Sequence, residues 1–220
     1  REHGAQVINC SWGMDEESFA LKDAIQRAGT SGVVVVSSAG NSGRNIEEEP
    51  YYPSSFGLSN QIVVASTDNF DQLTSWSNYG ASHVTLAAPG RDILTTRRGS
   101  GYTTVTGTSA STPLVTGAAG LIKTQRWWLS AAGTRQAIVD GARRVAELTG
   151  KVSSGAVVSA GGALAALQGP NTPPPDGGNG NGGNNGNGSG NNNPPAQPPP
   201  SGQGSEAQGM AAAFRPLRRP

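Results

Sequence analysis

Four consecutive valines, Val33 to Val36, restrict this chain more than any other feature. β-Branched side chains favour extended backbone, and a run without alternation has no polar face to turn to water. Such a strand must be covered on both sides, as in a parallel sheet with helices above and below. Gln61-Ile62-Val63-Val64-Ala65 repeats the pattern, and Gln6 to Cys10 and Val84 to Ala87 read as shorter strands. Between the first two strands, Asp15 to Ala28 reads as a helix with Leu21, Ala24, Ile25 and Ala28 on one face. Acidic residues crowd its expected first turn, and Gly29 and Gly32 are expected to stop it. Strand, helix and strand at this spacing form a βαβ unit, so the class is α/β with right-handed crossovers.

Further along, Ile93 to Thr96 and Tyr102 to Val105 flank Arg97-Arg98-Gly99-Ser100-Gly101 and read as a β-hairpin. A helix follows from Thr108 to Lys123, with an apolar stripe expected at Leu114, Gly117/Ala118 and Leu121/Ile122. Its small residues, Gly117 to Gly120, suggest close packing on the sheet. Another helix is expected from Thr134 to Ala142 with Thr134 as N-cap, and a last short one after Ser159.

The composition divides the chain. From Gly169 to Gly204, 29 of 36 residues are Gly, Pro or Asn, and Asp176 is the single charge. Such a stretch buries too little to offset the entropy of ordering, so 169–209 reads as a disordered linker and 210–220 as a short basic tail. The body, 1–168, carries 13 Lys/Arg and 13 Asp/Glu. That balance excludes a dedicated nucleic-acid binder as a function class, and no apolar run reaches the length of a membrane span. A single cysteine allows no internal disulfide, and Cys10 reads as a buried small hydrophobe. The opening residues do not look like a secretory leader.

The chemistry-bearing segment is Gly107-Thr108-Ser109-Ala110-Ser111-Thr112-Pro113-Leu114-Val115-Thr116-Gly117. It places a serine where a strand turns into a helix, and the unpaired N–H groups of a helix start suit a developing oxyanion. From these residues alone, Thr108, Ser109 or Ser111 is equally an N-cap, and Asn41 equally a turn residue before Ser42-Gly43.

The same segment resembles the nucleophile motif of the subtilisin-like serine proteases (peptidase S8). Val7-Ile8-Asn9-Cys10-Ser11-Trp12-Gly13 resembles that family's VIN-x-S-x-G strand, and Ser37-Ser38-Ala39-Gly40-Asn41 its AAGN segment. Tyr52-Pro53-Ser54, Ile62 to Asp68, Ser75-Trp76-Ser77-Asn78-Tyr79-Gly80 and Ala87-Ala88-Pro89-Gly90 resemble further family segments, in the family's order. The resemblance covers Val7 to Leu167. It implies a three-layer sandwich around a mostly parallel sheet, here lacking the family's N-terminal part. It implies a serine endopeptidase with Ser109 as nucleophile and Asn41 as oxyanion donor. Ser11, Trp12 and Gly13, with Ser38, Ala39 and Gly40, would wall a substrate cleft, and Thr108 would sit beside it. Tyr51, where the family often has glycine, would shorten the first specificity pocket toward small or medium side chains. The likeness also implies a cis Tyr52–Pro53 bond and an extracellular site of action.

The chain departs from the family at Ala110, Ser111, Leu114 and Thr116, and more seriously in lacking the family's Asp and His motifs. His3 and His83 have neither the context nor the position of the base, and read as surface or loop histidines. The expectation is therefore a C-terminal part of the catalytic domain, nearly inactive alone, with bare edges near Val7 and Val33. No metal site is expected for catalysis, although Asp68 could join a weak calcium site. Glu47-Glu48-Glu49 reads as a solvated loop. The expected partner is a peptide or protein substrate; a non-catalytic peptide-binding relative and a matrix protein acting through its tail are the alternatives.

Overall fold

The computed structural model describes residues 4–167; His3, the linker at 169–209 and the tail at 210–220 lie outside the described residues. Four parallel strands form most of the sheet: β1 (Val7–Cys10), β2 (Val34–Ser38), β3 (Gln61–Thr67) and β4 (Leu86–Pro89). They pair in the order of the sequence, with Val7 opposite Val34, Val35 opposite Gln61 and Val64 opposite Leu86. After β4 come the hairpin strands β5 (Ile93–Thr96) and β6 (Tyr102–Val105), which form a separate antiparallel ribbon. Two short strands, β7 (Arg143–Arg144) and β8 (Ala156–Val157), complete the main sheet. β8 runs parallel to β4, and β7 is antiparallel to β8.

Alternation along the buried strands sorts the core into two sides. Val34, Val36, Ile62, Val64, Leu86 and Ala88 face α2 (Thr108–Gln125), α3 (Ala131–Asp140) and α4 (Ala160–Ala165). On the other side Val35 packs with Ile25 of α1 (Phe19–Thr30) and with Phe56, while Val63, Ala65 and Ala87 pack against Ile46, Leu148 and Val152. Helices on both faces give the three layers that the valine run demands. Among the described residues, no helix is long and apolar enough to cross a membrane.

Several local expectations are corrected. α1 starts at Phe19 rather than Asp15, because the Ser18 hydroxyl accepts the Leu21 N–H and caps it; Asp15, Glu16 and Glu17 lie ahead of the first turn. α3 starts at Ala131, capped by Ser130 rather than Thr134, whose hydroxyl instead bonds back to the Ser130 carbonyl. The buried stripe of α2 is Val115, Ala118, Ala119 and Ile122, whereas Leu114 and Leu121 are 42% and 49% exposed. Gly117 and Gly120 face open space, so it is the two alanines that let α2 approach the sheet. The strand at Val34 has neighbours on both edges and is fully buried. β1 alone among the first four strands forms an edge, where Ile8 is 40% exposed.

Beneath the start of α2, the Ser111 and Ser66 hydroxyls are buried without hydrogen-bond partners among the described residues. They converge on Gly90, where an added Cβ would lie 2.1 Å and 2.3 Å from the two oxygens. An unpaired buried hydroxyl costs about 1–3 kcal/mol. Ser111→Ala is therefore expected to raise the unfolding free energy by about 1 kcal/mol in denaturant titration, and a loss of that size would contradict the reading.

Candidate active site

The carboxyl ends of β1 and β2 lie side by side, with Cys10 opposite Ser37, so Ser11-Trp12-Gly13 and Ala39-Gly40-Asn41 leave the sheet together. The chain returns after the hairpin at Gly107, whose N–H donates to the Gly90 carbonyl at 2.8 Å. Gly107 has φ +150°, which favours glycine, and it turns the backbone directly into α2. Ser109 is thereby exposed in the first turn of that helix, opposite Ser11.

Ser109 and Ser11 are joined reciprocally. Ser109 Oγ donates to the Ser11 carbonyl at 2.9 Å, and Ser11 Oγ donates to the Ser109 carbonyl at 2.9 Å. Pro113 explains the second bond. An α-helix would satisfy the Ser109 carbonyl with the N–H of residue 113, and proline has none. Pro113 thus lies too deep in α2 to be costless, and the Ser11 hydroxyl supplies the missing donor.

Asn41 meets the other side of this turn. Its Oδ1 accepts from the Thr108 N–H and the Thr108 hydroxyl, both at 2.9 Å. The buried Thr108 hydroxyl also accepts the Gly40 N–H at 3.2 Å. Two donors on one amide oxygen leave Nδ2 pointing elsewhere, and it has no partner among the described residues. A Cβ added at Gly107 would lie 3.5 Å from Asn41 Nδ2, 3.7 Å from its Oδ1 and 3.8 Å from the Ser109 nitrogen. The missing side chain therefore leaves open a space bordered by the Asn41 amide and the Ser109 backbone nitrogen.

The two expected cleft walls are not equivalent. The carbonyls of Ser38, Ala39 and Gly40 already accept from Ser54 Oγ, Asn78 Nδ2 and the Asn78 N–H. Trp12 and Gly13 make no backbone hydrogen bonds among the described residues, so theirs is the wall with free peptide groups. Tyr51 closes the end between them. A Cβ on Gly13 would come 2.4 Å from its ring, and one on Gly40 2.9 Å. The Arg44 guanidinium lies 5.5 Å over that ring and is paired with Asp15. Burial, with the Asp15 charge adding to it, holds the Tyr51 hydroxyl above its ordinary pKa. The Tyr52–Pro53 peptide is cis.

Asn78 went unassigned in the sequence, although its SWSNYG segment was conspicuous. It is fully buried, and its Oδ1 accepts the Ser42 and Arg44 N–H groups at 2.9 Å and 3.2 Å. With Nδ2 on the Ala39 carbonyl, it fixes the loop carrying Asn41. The absence of periodicity around Asn78 hides bonds that span 34 to 39 positions.

His83 does not bond Ser109. Its Nδ1 lies 2.6 Å from Glu47 Oε2, while Glu47 Oε1 accepts the Ser82 and His83 N–H groups. Glu47, Glu48 and Glu49 are exposed, as expected, and Glu47 also anchors the turn at Ser82 and His83. Asp68 turns its Oδ1 onto the Phe70 and Gln72 N–H groups, and among the described residues no three His, Cys, Asp or Glu side chains cluster as a metal site would require. The Cys10 thiol is pushed up by burial, as for an inert small hydrophobe.

Residues 1–192 match the model of the subtilase family. The thermophilic serine proteinase of Bacillus sp. (strain AK1) is 41% identical over 124 residues, 56% of this chain and 29% of that protein. Thermitase of Thermoactinomyces vulgaris is 41% identical over 144 residues, 66% of this chain and 49% of thermitase. Among solved structures, a protease from Pseudoalteromonas arctica PAMC 21717 is similar with a TM-score of 0.65 and 28% identity, covering 74% of this chain and 51% of that one. The chain spans 29% and 49% of the two sequence relatives and 51% of the solved structure's chain.

Burial penalises the ionised Glu47 carboxylate, but the N–H groups of His83 and Ser82 and the His83 ring outweigh it and hold its pKa below the ordinary value. A carboxyl lowered on folding contributes stability above its unfolded pKa of about 4.3, and that contribution disappears as pH falls through the folded value. Glu47→Gln is expected to cost a few tenths of a kcal/mol, at most about 1 kcal/mol, at pH 7, because solvent screens this exposed carboxylate, and nothing measurable near pH 2. Denaturant unfolding at the two pH values checks this, and equal destabilisation at both would contradict it.

Proposed function

Because the chain belongs to the subtilase family, we propose that it is the nucleophile-bearing part of a serine endopeptidase. The observation that carries this reading is the open space beside Gly107, bordered by the unpaired Asn41 Nδ2 and the Ser109 backbone nitrogen, at the turn that exposes Ser109. A peptide carbonyl whose oxygen enters that space presents its carbon to Ser109 Oγ. Attack forms a C–O bond while the hydroxyl proton leaves to a base, and the negative oxygen is held by the two N–H donors. Collapse breaks the C–N bond, the amine departs with a proton from the same base, and water then hydrolyses the acyl-enzyme. The Ser11 carbonyl, which holds the Ser109 proton at rest, is freed to accept a substrate N–H once the base takes that proton.

The base and its orienting carboxylate are assigned to residues outside these 220, since His83 is committed to Glu47 and His3 lacks the family's sequence context. The substrate is a protein or peptide lying extended along Trp12 and Gly13, whose free peptide groups can pair with it as an added strand. An extracellular site of action follows from the family resemblance alone. A non-catalytic peptide-binding relative would keep the Trp12–Gly13 wall without using the donor pair.

An active-site fluorophosphonate applied to the full-length protein tests the reading. Ser109 should carry the label, and Ser109→Ala should abolish both label and peptide hydrolysis. Asn41→Ala should lower kcat about 100- to 1,000-fold with KM little changed, the size measured for the equivalent loss in subtilisin. Labelling elsewhere, or none, would overturn the proposal.

Tyr51 sets the expected specificity. With its ring filling the space between Gly13 and Gly40, the residue before the cleaved bond should be Ala, Ser or similar. In the full-length protein, Tyr51→Gly should raise kcat/KM for Phe over Ala at that position at least about tenfold, since a pocket for a ring is worth 1–3 kcal/mol or more. Equal turnover of Phe and Ala substrates by the unaltered protein would remove the basis for this.

A further inference from the structure

We propose that Thr116 and Asn9 form a positioning unit that holds Ser11, and through it Ser109, in register for acylation; this rests on Ser109 being the nucleophile. Thr116 replaces a residue that is alanine in the family motif and touches neither substrate wall. It lies two turns along α2 from Ser109, half-buried, and its hydroxyl crosses to the sheet edge.

The connection is continuous. Thr116 Oγ1 donates to Asn9 Oδ1 at 2.8 Å, and Asn9 Nδ2 donates to Ser11 Oγ at 2.9 Å. Ser11 Oγ then donates to the Ser109 carbonyl left without a helical partner by Pro113. Proton counting fixes the direction. A hydroxyl has one proton, so Ser11, having given its own to Ser109, must receive from Asn9 a bond that only an NH2 group can supply. The Asn9 amide has its nitrogen toward Ser11 while its oxygen is held by a donor, and Thr116 is that donor. Asn9 lies exposed on β1, the edge strand, where little else restrains it.

Remove the Thr116 hydroxyl and the amide can turn over. Asn9 then presents its oxygen to Ser11, whose single proton is drawn away from the Ser109 carbonyl. The first turn of α2 loses the donor that replaced the one missing at Pro113, and the nucleophile loses its fixed register against the Asn41 amide. Reacting groups tolerate little displacement, and an error of about 1 Å costs on the order of 100-fold. The hydroxyl also lies 3.0 Å from the Thr112 carbonyl, within the same turn. That alternative explains how a threonine fits mid-helix, yet by itself it gives no reason for the rate to depend on the hydroxyl.

Thr116→Val keeps shape and removes the donor, whereas Thr116→Ser restores the donor in a smaller side chain. In the full-length protein, Thr116→Val is expected to slow phosphonate labelling of Ser109 about tenfold and to lower kcat with KM within twofold. Its midpoint of unfolding should be unchanged or higher, and Thr116→Ser should label within twofold of the unaltered protein. Equal labelling by the valine variant, or a serine variant as slow as the valine one, overturns the positioning role. If the unaltered protein takes no label, the proposed function falls, and amide exchange then decides the present inference by itself. Thr116→Val must speed exchange at Ala110 to Thr112 without affecting β2 and β3, and unchanged exchange there overturns the proposal.

Discussion

A strand buried on both faces has no room for chemistry along its length, and β2 is buried at every position. Any polar function of such a sheet is displaced to the strand ends, as is general for open α/β sheets, which bind ligands outside their carboxyl edges. The consequences are visible here in sequence order. β1 ends and delivers Ser11, β2 ends and delivers Asn41, and β4 ends at Gly90, whose carbonyl receives the Gly107 N–H just before Ser109. Three crossings of one sheet edge bring together residues 98 positions apart, while each side chain needs only a local turn to reach its place.

The helix beginning at that edge is adapted to the same constraint. Its sheet-facing residues are small where the approach is closest, with Ala118 and Ala119 at the interface and Val115 and Ile122 filling the flanks. Its first turn must remain open toward the cleft, so the usual partners of its peptide groups are replaced rather than lost. Thr108 gives its N–H and hydroxyl to Asn41, and the Ser109 carbonyl turns to Ser11 instead of to residue 113. Satisfying these groups with side chains from two strand ends is what couples the sheet to the Ser109 turn. A helix completed by its own hydrogen bonds would have been more stable and less tightly registered.

Much of this was legible in the residues. The valine run, the second apolar strand and the hairpin around Gly99 were placed within one or two residues, because unbroken β-branched runs and glycine-bearing tips have few other solutions. The family motifs pointed to Ser109 and Asn41, and the structure brings the two to one helix start. The failures have physical causes. Asp15 was an attractive helix start by charge, yet Ser18 wins because a hydroxyl that accepts a backbone N–H fixes the boundary directly, whereas a dipole acts across a whole turn. In α2 two apolar stripes fit a period of 3.6, one through Leu114 and Leu121 and one through Val115 and Ile122. Periodicity alone cannot choose between stripes one residue apart; burial against β2 and β3 does. Asn9, Asn78 and Thr116 were missed because an amide or hydroxyl bonding across 34 to 107 positions leaves no local trace.

Tyr51 shows how a single side chain can redefine a cleft whose backbone is unchanged. Gly13 and Gly40 face one another as though to leave room for a ligand's side chain, and the chain's own ring takes that room. Arg44 stacks over the ring and pairs with Asp15, and the Met14–Tyr52 backbone pair ties the two supporting segments together. Moving the ring would take it from under a guanidinium that the Asp15 carboxylate helps hold in place. The pocket is therefore short because its floor is braced. Under the proposed function, discrimination in this cleft rests on excluding large side chains, and affinity on the peptide groups of Trp12 and Gly13.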